Sequence, residues 1–272
     1  MTTPLTDRTA LMRQRARARA SAPARFLHDA AIAEVQDRLE MVNKSFTEPA
    51  IVTGWPEHWQ AVVEDAKIVP DDDTLDLEEG AHDLVIHAMS MHWSNDPVGQ
   101  LIQSRRALRP DGLFLGVMPG GTTLNELRAA LAQAEAEVSG GLSPRVTPTG
   151  EVRELGGLLQ RAGMTLPVVD SVPLTASYAN MHAVMHDLRA MGETNAMHAR
   201  PRHFARRALF DRASQIYAAN FGTDDGRINA TYDLIFLTGW SPDASQPQPL
   251  RPGSAKTRLA DALGTDETPL RD

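Results

Sequence analysis

None of the 272 residues is cysteine. Disulfides, thiolate nucleophiles and cysteine-ligated zinc or iron–sulfur clusters are therefore excluded, although an iron–sulfur protein remains available as a partner. A basic excess is missing as well. The 27 Lys and Arg stand against 35 Asp and Glu, a net charge of −8, which argues against a nucleic-acid binder. No apolar run approaches the ~20 residues of a membrane span, and no signal-peptide core follows the N-terminus. A reducing, soluble compartment is expected, the cytoplasm first and the mitochondrial matrix as the alternative. Acids are absent between Asp7 and Asp29, where Arg13, Arg15, Arg17 and Arg19 alternate with Gln14, Ala16 and Ala18. Such a stretch reads either as an organellar targeting segment or as a solvated basic arm for an acidic partner. The spacing gives no clean amphipathic stripe, which favours an arm over residues 1–25.

What is present suffices for one sizeable core, with 42% hydrophobic and 23% charged residues. Phe26, Leu27, Ala30, Ala31, Val35, Leu39 and Val42 recur at helical steps and predict a helix over 26–43. Short apolar runs at Ala50–Thr53, Ala66–Val69 and Asp83–Met89 suit buried parallel strands, and Pro56–Glu64 a short helix. Asp96 as N-cap and Pro97 at the first position open a helix to about Leu108, followed by a strand at Leu113–Met118. Thr123 and Glu126 have the spacing of a capping box before an alanine-rich helix. A helix from about Glu151 to Arg161, a strand from Val168, helical segments near 179–191 and 203–219 and a last strand at Tyr232–Leu237 complete the pattern. This rhythm predicts a three-layer α/β fold, Rossmann-like and mostly parallel, over residues 26–240. A helical insertion at about 179–222 is placed to roof a site. Residues 241–272, rich in proline and polar residues, read as a mostly disordered tail.

Open parallel sheets bind ligands at the carboxyl ends of their strands. That rule singles out Gly54, Asp71, Asp72, Met89 and Trp93 as candidate cofactor contacts, and His92 as a candidate general base. A glycine-rich turn would let the backbone approach a cofactor. Here Gly54 stands alone, with Trp55 and Pro56 after it. Asp71 and Asp72 alternatively cap a turn, and Trp93 alternatively anchors the core. His182 and His186 stand four apart, a spacing known from metal clamps, but no third ligand accompanies them and no metal is assigned. The polar stretch Asp187–Asn195 suits a helix C-cap or a loop carrying specificity residues.

Five stretches, His82–Asp96, Pro119–Arg128, Gly140–Pro148, Asp187–Ala196 and Ala230–Trp240, with an echo at Arg251–Ala255, resemble the methyltransferase-like assembly factors of respiratory complex I. The first is shared with malonyl-carrier-protein methyltransferases. The resemblance implies a class I methyltransferase fold, S-adenosylmethionine (SAM) as cofactor, and a role in complex I assembly through hydroxylation of an arginine on an iron–sulfur subunit. The chain departs from the family upstream. The glycine-rich signature is replaced by Thr53–Glu57, and Ala66–Leu77 resembles the family's third strand, so that the second, with its ribose-binding acid, is missing. Asp71 or Asp72 is left for the adenine-contacting position. Three functions stay open: an assembly-type protein, a small-molecule or carrier-protein methyltransferase (a transferase of one-carbon groups), and a non-catalytic binding module that lost SAM.

Overall fold

The computed structural model describes residues 3–247 and 257–265. Met1–Pro242 forms one compact unit and Asp243–Asp272 a second. Within the second, a short helix spans Leu259–Leu263, in the stretch expected to be disordered. The Arg251–Ala255 echo lies outside the described residues.

A six-stranded sheet organises the first unit. β1 (Pro49–Thr53), β2 (Lys67–Val69), β3 (His82–Ala88) and β4 (Leu108–Pro119) run parallel. β5 (Thr165–Tyr178) and β6 (Ile228–Trp240) close the order β2-β1-β3-β4-β6-β5, with β6 antiparallel to both neighbours. β1 is buried along its whole length, as expected of a strand covered on both faces. β1 pairs directly with β2, Ala50 opposite Lys67, so no strand stands between them. The short connection through residues 54–66 leaves room only for α3 (Pro56–Trp59), which stops earlier than the predicted Glu64. After it the chain tightens into a turn, with Val62 N donating to Trp59 O at 3.1 Å.

Alternation along the central strands builds the three layers. Leu84, Ile86, Leu113, Leu115, Val117, Leu234 and Phe236 face one side. There they meet α2 (Phe26–Met41), α5 (Asn125–Ser139), α7 (Met181–Ala190) and α8 (Arg207–Phe221). Val85, Phe114, Met118, Ile235 and Leu237 face the other, against α4 (Pro97–Ala107) and α6 (Val152–Arg161). Asp96 caps α4 as expected, its Oδ1 accepting from Gly99 N at 2.8 Å. The capping box at Thr123 and Glu126 does not form. Thr123 Oγ1 instead accepts from Asp233 N at 2.9 Å, and the Glu126 carboxylate takes the hydroxyl of Thr231. Both side chains tie α5 to β6, where a strand edge offers more partners than the helix start.

The expected basic arm is also corrected. Residues Arg8–Ala20 form a helix, α1, capped by Asp7, with Leu11, Arg15 and Ala18 buried. These three are spaced four and three apart and so share one face. The structure buries that face against the body of the unit, leaving Arg13 and Arg17 outside.

Candidate functional site

β1 is flanked by β2 on one side and β3 on the other, so the topological switch lies at the carboxyl end of β1. In such a sheet this crevice is where a nucleotide cofactor lies. Here α1 lies across it. Arg15 Nη1 sits 2.9 Å from both carboxylate oxygens of Asp71, and both side chains are almost wholly buried. Arg8 adds a hydrogen bond of 2.6 Å from Nη2 to the Asp71 carbonyl. Arg19 binds the Gly54 carbonyl, pairs with Glu57 at 2.6 Å, and lays its guanidinium 4.6 Å above the Trp55 ring.

The bare backbone of Gly54 is thus used by the protein itself. A Cβ built there would stand 2.0 Å from Arg15 Nη1 and 2.2 Å from its Cζ. Trp55 is fully buried beneath, stacked on His58 at 5.2 Å. The Trp59 indole donates to His28 Nδ1 at 3.0 Å beside it. The residues present do not fit SAM in the usual crevice, because a guanidinium and an indole fill the volume where an adenosyl group would lie. Of the candidate contacts, Gly54 and Asp71 are therefore held by α1. The Asp72 side chain is largely solvent-exposed, 3.4 Å from Arg8. Met89 turns its backbone to a positive φ of 49° and buries its side chain in the core.

His92 and Trp93 lie elsewhere, and on a different partner. Both donate to one carboxylate oxygen, Glu193 Oε2, from His92 Nε2 at 2.9 Å and from Trp93 Nε1 at 2.7 Å. Glu193 follows the left-handed Gly192 (φ 75°) that ends α7, and its own N–H donates back to Leu188 O at 2.9 Å. This is the six-to-one bond of a Schellman turn, which fixes where the carboxylate points. Burial pushes the Glu193 carboxyl up, but His92, Arg15 and the two hydrogen bonds outweigh it and hold it below its ordinary range. The sequence shows Glu193 only as part of a polar stretch. Its signal is the glycine one residue before it.

His92, Trp93 and Glu193 line a cavity of about 260 Å³ with walls from Leu127, Met185 and Tyr232. That falls just under the ~300–1,000 Å³ typical of small-molecule sites and is mostly apolar in its lining, as such sites are. It admits a side chain more readily than a cofactor of SAM's size. His92 Nδ1 is buried and lacks a partner among the described residues. Since Nε2 carries the proton donated to Glu193, Nδ1 of a neutral ring is an acceptor. His182 and His186 are both exposed on α7. Among the described residues no group of three or more His, Asp or Glu is gathered for a metal.

No family model matches the chain. Among curated proteins, the mitochondrial arginine-hydroxylase NDUFAF5 of Danio rerio is 40% identical over 194 residues, covering 71% of this chain and 60% of that protein. The malonyl-[acyl-carrier protein] O-methyltransferase of Laribacter hongkongensis is 33% identical over 188 residues, covering 69% of this chain and 61% of that protein. Among solved structures, the YcgJ protein of Bacillus subtilis is similar with a TM-score of 0.49 at 12% identity, over 79% of this chain and all of that one. The chain thus spans about three fifths of the length of these two curated relatives. Within that span the resemblance read from the sequence is borne out: the chain is a homologue of the NDUFAF5 arginine-hydroxylases and, more distantly, of carrier-protein methyltransferases.

Proposed function

We propose that this protein is an assembly-type relative of NDUFAF5 that receives an arginine side chain of a partner protein in the cavity beside Glu193, with no SAM in its crevice. The observation that carries this reading is the division between the two sites. The crevice is filled by the Arg15–Asp71 pair, whereas the cavity is open and holds a buried carboxylate beside an unpartnered histidine nitrogen. A guanidinium offers five N–H donors in a planar fork, and the cavity offers acceptors. The apolar walls suit the methylene stem of the same side chain. On this reading Trp93 and His92 position Glu193, and His92 Nδ1 accepts a further hydrogen bond. Gly54 and Asp71 serve as seats for α1. The partner we propose, as the sequence resemblance implies, is an iron–sulfur subunit of complex I, with the cytoplasm as compartment and the mitochondrial matrix as the alternative. No helix among the described residues is long and apolar enough to cross a membrane.

Calorimetric titration of the whole chain tests the division directly. SAM and S-adenosylhomocysteine are expected to give no binding heat. A blocked arginine, N-acetyl-arginine methylamide, is expected to bind, and Glu193→Gln to weaken it by roughly tenfold, the weight of one charge-assisted hydrogen bond. Micromolar SAM binding would overturn the reading in favour of a carrier-protein or small-molecule methyltransferase. Absence of both would leave a scaffold that holds its partner outside the cavity.

A further inference from the structure

An acidic protein carries one sharply basic stretch that neither site uses. Between Glu193 and Asp211 there is no acid, while His198, Arg200, Arg202, His203, Arg206 and Arg207 fall within ten residues. Phe204 in their midst is 102% exposed, more than any other large hydrophobic described. The Arg207 side chain is 94% exposed and that of Arg202 59%. A full-size aromatic ring held in water among cations is an unusual surface, since aromatic and arginine side chains are the groups that interfaces concentrate.

The stretch is also held in place. Asp7 N donates to Ala196 O and His198 N to Leu5 O, each at 2.8 Å. The Asp7 carboxylate accepts from Arg200 at 2.8 Å and Arg202 at 3.2 Å. These bonds join the stretch to the start of α1, whose outward side adds Met12, Arg13 and Arg17, all exposed. Asn195 just before the stretch and Phe210 just after it both line the cavity.

We propose that residues 198–207, with the outward side of α1, form the docking surface for an acidic segment of a partner polypeptide that places an apolar residue against Phe204. Charge decides the occupant. The molecule as a whole is at −8, so a broad anionic surface such as a bilayer would repel most of it, whereas a narrow acidic segment meets only the basic stretch. The proposal rests on the cavity reading for its purpose, since a segment held here would lie beside the mouth through which its neighbour enters.

The test uses the full chain and a fluorescent twelve-residue peptide of glutamates with one central leucine and no arginine. Binding should weaken about tenfold in Arg206→Glu/Arg207→Glu, and again between 50 and 300 mM NaCl, as an exposed electrostatic contact requires. Phe204→Ala should weaken it about threefold. Glu193→Gln should bind the peptide as the unaltered protein does, which separates this surface from the cavity. Phe204, Arg206 and Arg207 are exposed, so an unchanged thermal midpoint verifies that their variants fold, and a cooperative unfolding transition does so for Glu193→Gln. Equal binding by the Arg206/Arg207 variant would overturn the proposal. So would absence of peptide binding, whether or not phosphatidylserine vesicles, duplex RNA or a second copy of the chain bind through the same residues.

Discussion

Replacing Arg15 with alanine will lower the unfolding free energy by about 3 kcal/mol, the low end of what removing one partner of a buried ion pair costs. The loss comes from Asp71, which is 6% exposed in the intact protein and would keep only Arg8, 3.4 Å away, as a partner for its carboxylate. The low end applies because Arg8 remains. Arg15→Met restores the volume but not the charge, so it should recover little. Arg15→Met combined with Asp71→Leu removes both ions and should recover most of the loss. Urea unfolding of the three variants measures this, with protease cutting between α1 and α2 as a second readout of a released α1. A loss under about 0.5 kcal/mol in Arg15→Ala, the range of an ordinary surface substitution, would mean that water reaches Asp71 and that α1 does not seal the crevice.

The second large effect is acid lability above pH 5. His87 is wholly buried, its Nε2 2.9 Å from Gln100 Oε1, and burial pulls its pKa down to about 4. His28 accepts the Trp59 indole hydrogen on Nδ1, and burial, with His58 nearby, pulls it down to about 3. Both fold as neutral rings, while the unfolded chain protonates them near pH 6.5. Their contribution is therefore complete above about pH 6.5 and is lost as pH falls through that value toward about 4 and about 3. At pH 5, some 1.5 units into that window, each costs about 2 kcal/mol and the pair about 4. A domain with 5–15 kcal/mol in hand feels that strongly. Urea midpoints at pH 7.5, 6 and 5 should fall steeply, and His87→Gln should flatten the slope by about 1.4 kcal/mol per pH unit. Glu193, whose folded pKa is lowered, loses its contribution only below its ordinary range and leaves this window untouched. Stability that is flat from pH 7.5 to 5 would show that the two rings gain protons without unfolding.

The parts of the fold legible in the sequence are those where local chemistry and burial agree. β3, α4 and β4 follow from an apolar run, an Asp-Pro start and a second apolar run, and the structure adds no competing partner. Thr123 and Glu126 show the opposite case. Their local pattern is that of a cap, but β6 arrives from more than a hundred residues away and takes both side chains. In the sequence α1 reads as a solvated basic arm, not as a buried helix. Arg13, Arg15 and Arg17 look alike in the sequence, and only the shared face of Leu11, Arg15 and Ala18 separates the buried arginine from its neighbours. The crowding at Trp55 was readable from its size. What filled the remaining space was not, because a cation on an acid-poor stretch reads as solvated until Asp71 is brought beside it. Of the cavity, His92 and Trp93 were readable. Glu193 was not, since its role depends on a turn that brings it a hundred residues back along the chain to them.

The docking of α1 also sets an order in which the molecule is made. The helix precedes in the chain every segment it packs on, and the last of those segments comes late. Asp71 is followed by more than a hundred further residues before Ala196 and Met197 appear, the backbone that Asp7 and Thr6 bond. At 5–20 residues per second, that interval is roughly 6 to 25 seconds. Throughout it, α1 exists without the far wall of its groove. Bringing ends this distant together costs only slowly more entropy with length, so delay rather than distance is the burden. α1 is thus made well before the last of its seats, and its anchorage to Ala196 and Met197 forms only once that stretch has been made.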